Sequence, residues 1–282
     1  MMIKRTLLGL AASMMLLPGS AFAAGAGGHV DDVPFSFEGP FGTFDKFQLQ
    51  RGFQVFHEVC AGCHGLKFVA FRELGMANGP AFPPEQVKAI AALYEVADKE
   101  GEPGDTRTAK PSDKFPANDA VGAPDLSLMA KARAGFHGPY GLGINQMLKG
   151  IGGPEYIYSL LTAYTGEEQE VAGSVLYEND VYPGGLISMS QPLWGDDVEY
   201  AAHGNGDSEG EGDDADHSGY TPPEATIEQQ AKDVSAFLMW TAEPHLVERK
   251  EAGFRNLVWL IILSVLLYYT NKQVWAAIKR KD

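Results

Sequence analysis

The sequence is poor in two kinds of residue, and each scarcity excludes a class of protein. Of 282 residues only 2 are cysteines, so the chain cannot form the multi-disulfide framework that stabilises small secreted domains. Positive charge is also scarce, with 22 lysines and arginines, 37 aspartates and glutamates, and a net charge of −15. Such an acidic chain is a poor candidate for binding nucleic acid, whose phosphates would repel it. The hydrophobic content of 45 % is ordinary for a folded protein.

The N-terminus has the pattern of a secretory signal peptide. Lys4 and Arg5 precede an apolar stretch over 6–17, and the triplet at 21–23 (Ala-Phe-Ala) provides the small residues of a cleavage site. We therefore expect residues 1–23 to be removed and the rest of the chain to be exported. The alternative is an uncleaved anchor helix, but the apolar stretch is short and is followed by a Pro-Gly pair.

The C-terminus has the pattern of a membrane anchor. Residues 252–271 contain an apolar core accompanied by tryptophan and tyrosine, which are typical of the membrane–water interface. The tail over 272–282 is basic, so the positive-inside rule places it in the cytoplasm. A helix buried in a soluble core is the alternative, although the basic flanks argue against it. The exported part, residues 24–248, holds 35 acidic and 13 basic residues, a net charge of −22.

Between the two ends the hydrophobic pattern predicts short helices separated by long loops. A charged surface loop rich in Pro and Gly is expected over 99–118, and irregular structure over 165–200. The residues between His203 and His217 are Gly, Asp, Glu, Ser and Asn with one alanine, which predicts a disordered acidic loop over 203–217. Helices are expected at 44–59, 84–98, 126–134, 154–164 and 227–241.

The two cysteines form the motif Cys60-Ala-Gly-Cys63-His64, whose spacing indicates attachment of a c-type haem. Thiols one helical turn apart can each form a thioether to a vinyl group on the same porphyrin edge, and the adjacent histidine can bind the iron. Three alternatives are weaker. A redox dithiol would follow a strand in a βαβ unit, a zinc site would need a second pair of ligands, and a plain disulfide would not explain His64.

A second axial ligand would come from another part of the chain, and the remaining methionines and histidines are the candidates. Met189 lies in a segment bounded by Pro-Gly-Gly on one side and by proline on the other, which can present a thioether to a haem face. His/Met ligation raises the reduction potential relative to His/His. Met76, Met129 and Met147 stay open as alternatives, because methionine is also an ordinary core residue.

The order of these motifs resembles the cytochrome c1 family, the haem subunits of the ubiquinol–cytochrome c reductase (bc1) complex, in its alphaproteobacterial form. The resemblance covers essentially the whole mature chain and includes the single C-terminal anchor. C-x-x-C-H alone indicates only a c-type haem, whereas the ordered set of motifs is specific. Besides the cysteine motif, the segments that carry the resemblance are 35–39 (FSFEG), 51–56 (RGFQVF), 124–127 (PDLS), 158–162 (YSLLT), 183–189 (PGGLISM) and 233–244 (DVSAFLMWTAEP).

The resemblance implies a mainly α fold: a class I cytochrome c-like haem domain with large loop insertions, plus one C-terminal transmembrane helix. It implies one haem c, held covalently through Cys60 and Cys63, with His64 and Met189 as the two iron ligands. Since both ligands would come from the protein, no open position for a substrate is expected, and the chain would have no substrate-transforming site of its own.

The resemblance also implies how the chain holds the rest of the haem. Arg133 and Tyr156 match the positions that contact the haem propionates, and a propionate beside the apolar macrocycle needs a donor such as an arginine. Asn118 and Pro124 are expected to line the same pocket. The alternative for Arg133 is a solvated position on a helix face.

The implied function is one-electron transfer in a respiratory or photosynthetic bc1 complex. The chain would accept the electron from the Rieske iron–sulfur protein and pass it to a soluble or tethered cytochrome c, with cytochrome b as a further partner. It would lie in the bacterial inner membrane with its haem domain in the periplasm, where its acidity would steer a basic cytochrome c. The alternatives are a membrane-anchored monohaem enzyme, such as a peroxidase subunit, and a stand-alone electron shuttle, although simple shuttles are much smaller.

Overall fold

The computed structural model describes residues 28–98, 100–102, 104–118, 122–134, 149–200 and 221–279. The predicted signal peptide, the acidic loop over 203–217 and Met147 lie outside the described residues. As predicted, the architecture of the described part is mainly helical. Its helices are α1 (Lys46–Val55), α2 (Pro84–Ala92), α3 (Met129–Ala132), α4 (Gly153–Thr162), α5 (Ile227–Ala242) and α6 (Leu246–Lys279). Its strands are β1 (Glu95–Ala97), β2 (Thr106–Thr108), β3 (Tyr164–Val171), β4 (Ser174–Asn179) and β5 (Leu186–Ile187).

Two predictions about local structure were wrong. The helix predicted over 84–98 ends at Ala92, and the chain then forms β1, which pairs antiparallel with β2 inside the predicted surface loop. The segment predicted to be irregular over 165–200 instead contains a sheet of three antiparallel strands in the order β3-β4-β5. The strands β1 to β4 are largely exposed. Their sequences therefore do not show the alternation of apolar and polar residues by which a half-buried strand is recognised.

The centre of the domain is the crossing of α1 and α5, which requires a glycine. A Cβ atom at position 52 would lie 2.1 Å from the Asp233 carbonyl oxygen of α5. Beside this crossing the Asp233 carboxylate accepts hydrogen bonds from Arg51 at 2.7 Å and 3.0 Å and from Gln48 at 3.2 Å. The side chain of Asp233 is fully buried and that of Arg51 is 12 % exposed. The two helices are therefore joined by close backbone packing and by a buried ion pair.

Aromatic side chains fill the space around this crossing. Phe53 and Phe56 of the N-terminal helical segment lie 5.7 Å and 5.9 Å, between ring centroids, from Phe237 of α5. Phe115, from the segment that precedes the haem-pocket candidates, packs edge-on against Phe56, and Trp240 is fully buried next to Phe237. Ring contacts of this kind favour one specific packing beyond the area that they bury, and they fix the helix that leads into the cysteine motif.

The sheet carries the segment that contains Met189. Strands β3 and β4 are joined by a two-residue turn, Ala172-Gly173, in which both residues have positive φ (52° and 82°), as a type I′ hairpin turn requires. The register shifts between Tyr164 and Glu168. Strand β5 then pairs with β4 and ends two positions before Met189, so the sheet determines where that methionine lies.

The anchor helix α6 begins only three residues after α5 ends. Its 34 residues correspond to about 51 Å at 1.5 Å per residue, and by length and composition it can cross a membrane. Near its start, the Lys250 ammonium donates to the carbonyl oxygens of Phe37 and Gly42. The ring of Phe254 lies 5.4 Å from that of Phe41. The base of the anchor is thus fixed to the N-terminal part of the domain.

Candidate haem site

The cysteine motif continues the first helix without a break. After α1 the chain forms a π-helical turn over Phe56–Cys60, and the Ala61 amide donates to the Phe56 carbonyl at 2.8 Å. The amides of Cys63 and His64 both donate to the Cys60 carbonyl, at 3.1 Å and 2.9 Å. The helical frame predicted for the motif is therefore present, and it holds the two thiols and the imidazole on one turn.

The thiols are not arranged for redox exchange or for zinc. Cys60 is half-buried, Cys63 is exposed, and neither forms a disulfide. Burial, with a smaller contribution from the neighbouring Cys63, raises the pKa of the Cys60 thiol to about 12, whereas a reactive dithiol needs a lowered pKa. Among the described residues no group of three or more His, Cys, Asp or Glu side chains could hold a metal ion.

The His64 ring is oriented by a backbone acceptor. Its Nδ1 lies 2.7 Å from the carbonyl oxygen of Pro124. A carbonyl can only accept a hydrogen bond, so Nδ1 carries the proton and Nε2 keeps the lone pair that binds a metal. Nearby, the Leu126 amide donates to the Gly65 carbonyl at 2.9 Å. Pro124, predicted to line the pocket, thus contacts the proximal histidine directly.

Asn118 lies against the other side of the motif. Its Nδ2 donates to the Gly62 carbonyl at 2.9 Å and to the Ala61 carbonyl at 3.4 Å, so it binds the backbone between the two cysteines. The two chain segments approach closely here, because a Cβ atom at position 65 would lie 2.7 Å from the Pro116 carbonyl oxygen. The structure therefore brings Cys60, Cys63, His64, Asn118 and Pro124 together.

Arg133 and Tyr156 form a second group. They lie 23 positions apart in sequence, yet the Arg133 guanidinium lies close enough to the Tyr156 hydroxyl to influence its pKa. Burial raises the pKa of Tyr156, and the charge of Arg133 opposes that rise. Packing at Gly153 joins their elements, since a Cβ atom there would lie 1.7 Å from the Ala130 carbonyl oxygen. The pair offers a guanidinium and a phenol hydroxyl, and both groups can donate hydrogen bonds to a carboxylate.

A buried carboxyl group lies next to this pair on α4. Glu155 is 1 % exposed, and its Oε2 atom has no hydrogen-bond partner. Burial, aided by the nearby carboxylates of Glu38 and Asp32 and opposed by Lys149, raises the pKa of Glu155 to about 7. Glu155 therefore exchanges protons in the neutral pH range, unlike an exposed glutamate.

Met189 lies two positions after the end of strand β5. Its side chain is half-buried and packs against the core cluster. The Met189 carbonyl oxygen accepts a hydrogen bond of 3.0 Å from the Tyr164 hydroxyl. Met129, a competing candidate, is also partly buried against the core, as an ordinary apolar side chain would be.

Sequence reasoning missed Tyr164 and Asn179, which support the methionine segment. Both lie at the ends of paired strands, where they are cross-strand neighbours. One local signal was available: the Ala172-Gly173 pair separates two runs that contain valine, which is the spacing of a two-residue hairpin turn. The role of Asn179 could not be found in this way, because its side-chain amide donates to the Leu160 carbonyl of a different element at 2.8 Å.

These residues fit a covalently bound haem c. The two free thiols lie on one turn, and the adjacent imidazole is held with Nε2 as its metal-binding nitrogen. A thioether on an independently supported segment and an arginine–tyrosine pair complete the types of side chain that such a cofactor needs.

Comparison with known proteins gives a consistent result over nearly the whole chain. Residues 35–278 match the family described as the Cytochrome C1 family. A protein named cytochrome c1 from Cereibacter sphaeroides is 48 % identical over 302 residues, with 99 % of this chain and 98 % of that protein covered. Cytochrome c1 of Rhodospirillum rubrum is 36 % identical, with 98 % of each chain covered. A yeast relative from Saccharomyces cerevisiae, named as the mitochondrial cytochrome c1 haem protein, is 37 % identical over 92 % of this chain and 76 % of its own length. The chain therefore belongs to the cytochrome c1 family.

Proposed function

We propose that the chain is the c-type haem subunit of a bc1 complex, which accepts one electron from the Rieske iron–sulfur protein and passes it to a soluble or tethered cytochrome c. The observation that carries this proposal is the Cys60–His64 turn, with the His64 ring fixed to the Pro124 carbonyl, in a chain of this family that ends in an anchor helix. Membership of the family implies haem, electron transport and assembly with cytochrome b and the Rieske protein.

In this proposal each site residue has one role. Cys60 and Cys63 form the two thioethers of a single haem c, and His64 and Met189 bind its iron. The bound haem would supply an iron that changes reversibly between the ferric and ferrous states. The Pro124 carbonyl holds His64 in the tautomer that binds through Nε2. With His64 and Met189 both bound to the iron, the chain would leave no open position for a substrate.

The remaining residues position the edges of the cofactor. Arg133 and Tyr156 bind a propionate, and the positive charge of Arg133 compensates the carboxylate in a partly buried place. Asn118 holds the backbone between the cysteines and so keeps the two thiols at a fixed separation. Pro124 contacts the motif at His64 and Asn118 contacts it at Ala61 and Gly62, so both would line the pocket.

We place the haem domain in the periplasm and the C-terminal tail in the cytoplasm of a bacterial inner membrane. The support comes from the sequence: the N-terminus has a signal-peptide pattern, and the residues after the anchor core are basic. The residues 257–267 of α6 are an apolar surface that is exposed on all sides in the isolated chain. That surface is suited to lipid and to the membrane helices of a partner such as cytochrome b.

Purification of the membrane complex in mild detergent tests the assignment. We expect the chain to stain for haem on a denaturing gel and to co-purify with a b-type cytochrome and an iron–sulfur protein. A variant with Cys60→Ser and Cys63→Ser is the control and should lose the haem stain. A chain that purifies alone and binds carbon monoxide in its reduced form would instead support the monohaem enzyme.

The acidic surface of the β3–β4 hairpin supports the proposal of a basic electron acceptor. The β3–β4 hairpin exposes Glu167, Glu168, Glu170 and Glu178, and the sequence contains no lysine or arginine between positions 149 and 232. Long-range attraction between this surface and a cationic protein would accelerate encounters and would weaken with salt. The same charge distribution would repel an acidic acceptor.

We expect the rate of electron transfer to a basic cytochrome c to fall roughly tenfold or more between about 0.01 M and 0.15 M ionic strength, since the Debye length shrinks from about 30 Å to about 8 Å. The variant Glu168→Gln/Glu170→Gln should show a smaller dependence on salt. Glu85→Gln, an exposed glutamate on α2, is the control for lost charge elsewhere. Stopped-flow rates at several ionic strengths check this, and a rate independent of salt would contradict it.

A further inference from the structure

The segment that carries Met189 is held by a hydrogen bond from outside the segment. The Tyr164 hydroxyl donates to the Met189 carbonyl oxygen across 25 positions of sequence, at 3.0 Å. Tyr164 is half-buried, and burial raises its pKa well above the ordinary value for a phenol. A carbonyl oxygen can only accept a hydrogen bond, so the Tyr164 hydroxyl is the donor.

Asn179 ties the same segment to helix α4. It is fully buried, and its Nδ2 donates to the Leu160 carbonyl of α4 at 2.8 Å. Its Oδ1 accepts from the amides of Val181 and Tyr182 at 3.1 Å and 3.0 Å, which folds the chain into the turn before β5. The backbone N–H of Asn179 closes this turn by donating to the Gly185 carbonyl at 2.9 Å. Asn179 thus forms hydrogen bonds through both polar atoms of its side chain and through its backbone N–H.

Few backbone bonds can rotate between these hydrogen bonds and Met189. Strand β5 pairs with β4 at Ile187, and only Ser188 separates that pair from Met189. The segment is therefore fixed on one side by the sheet and at Met189 itself by Tyr164. Since Tyr164 lies two positions after the end of α4 and Asn179 binds the Leu160 carbonyl within it, both supports connect the methionine with the helix that carries Tyr156.

We infer that Tyr164 and Asn179 are positioning residues that hold the Met189 thioether against the haem iron. The inference rests on the proposed role of Met189 as an iron ligand. A neutral thioether is a weak donor of electron pairs, so its bond to iron persists only if the backbone keeps the sulfur in place. Helix α4 then carries Tyr156, which would contact a propionate. It is also linked to the proposed iron ligand Met189 through Tyr164 and Asn179.

The variant Tyr164→Phe in the full-length, haem-loaded chain tests this. It removes one hydroxyl and leaves a ring of nearly the same size. The loss of one such bond with a partly buried carbonyl should raise the fraction of haem with a detached methionine roughly 5- to 30-fold. We expect a lower midpoint potential, a weaker far-red absorption band of the thioether-ligated ferric haem, and measurable binding of carbon monoxide to the ferrous haem.

Tyr94→Phe is the matched control. The Tyr94 hydroxyl lies 2.7 Å from His57 Nδ1, and burial raises the pKa of Tyr94 to about 12, so the variant removes a comparably buried phenol hydroxyl. It should lower thermal stability to a similar degree while leaving the potential, the far-red band and the carbon monoxide reaction unchanged. A purely structural role for Tyr164 would make the two variants behave alike and would overturn the inference.

A double variant separates this inference from the assignment of Met189. If Tyr164 acts through the methionine, Tyr164→Phe should cause no further shift of potential in a Met189→Leu background. If Met189→Leu alone changes nothing, the ligand assignment is wrong. If Met189→Leu lowers the potential but Tyr164→Phe does not, only the positioning role is wrong. Asn179→Ala should act in the same direction as Tyr164→Phe, and the tyrosine variant gives the answer if Asn179→Ala does not fold.

Discussion

Replacing Met189 with leucine is expected to keep the covalently attached haem and to lower its midpoint potential by on the order of hundreds of millivolts, within the roughly 0.8 V that axial ligands span among haem proteins. The thioether favours the ferrous state, and leucine has a similar volume but no lone pair. The thioether bonds to Cys60 and Cys63 do not depend on the sixth ligand, so the haem stain should persist. Potentiometric titration followed by visible absorbance measures the change.

Met129→Leu is the matched control for this prediction. Met129 lies on the short helix α3 and, like Met189, is partly buried against the core, so the substitution causes the same loss of sulfur without removing the proposed ligand. The potential of the Met129 variant should stay near that of the unmodified chain. A large fall with Met129→Leu and none with Met189→Leu would transfer the ligand assignment to Met129.

Replacing Asp233 with alanine is expected to reduce the free energy of unfolding by about 3–5 kcal/mol, the range for removing one partner of a buried ion pair. The Asp233 carboxylate is fully buried and accepts from Arg51, Gln48 and Gln229. Its loss leaves the guanidinium of Arg51, which is only 12 % exposed, without the carboxylate that compensates its charge. Denaturant unfolding of the detergent-solubilised holoprotein, followed by haem absorbance, measures the difference.

Asp32→Ala provides the comparison at the surface. Asp32 forms an ion pair with Lys149 in which both side chains are 50 % exposed, and exposed pairs contribute little to stability. This variant should unfold at nearly the same denaturant concentration as the unmodified chain. Equal losses in the two variants would show that the α1–α5 crossing does not depend on its buried ion pair.

The parts of the fold that the sequence predicts well are those defined by local patterns. Cys60, Cys63 and His64 lie within five consecutive positions, so the turn that holds them can be inferred from their spacing alone. Helix α5 follows the predicted bounds of 227–241 to within one residue, because a threonine N-cap begins it and Pro244 follows its end. The anchor was equally clear from its apolar run, although α6 begins before the predicted 252.

The supports of the site could not be predicted because they depend on contacts between distant parts of the chain. The bond from Tyr164 to Met189 involves a tyrosine whose partner is a backbone carbonyl, and a carbonyl has no sequence signature. Asp233 was part of a motif that carried the family resemblance, yet nothing in the sequence indicated that it pairs with Arg51, 182 positions away. The sheet was not predicted because its exposed strands lack an alternation of apolar and polar residues.

The short connection between α5 and α6 limits how the haem domain can move. Three residues join the two helices, and Glu243 within that link pairs with both Lys131 and Arg249. Together with the Phe41–Phe254 contact, this short connection leaves no flexible linker between the haem domain and the anchor helix. In the proposed assembly, a haem held by this domain would therefore keep a nearly constant position relative to the anchor helix. A change in the distance between this haem and an electron donor would then have to come from movement of the donor.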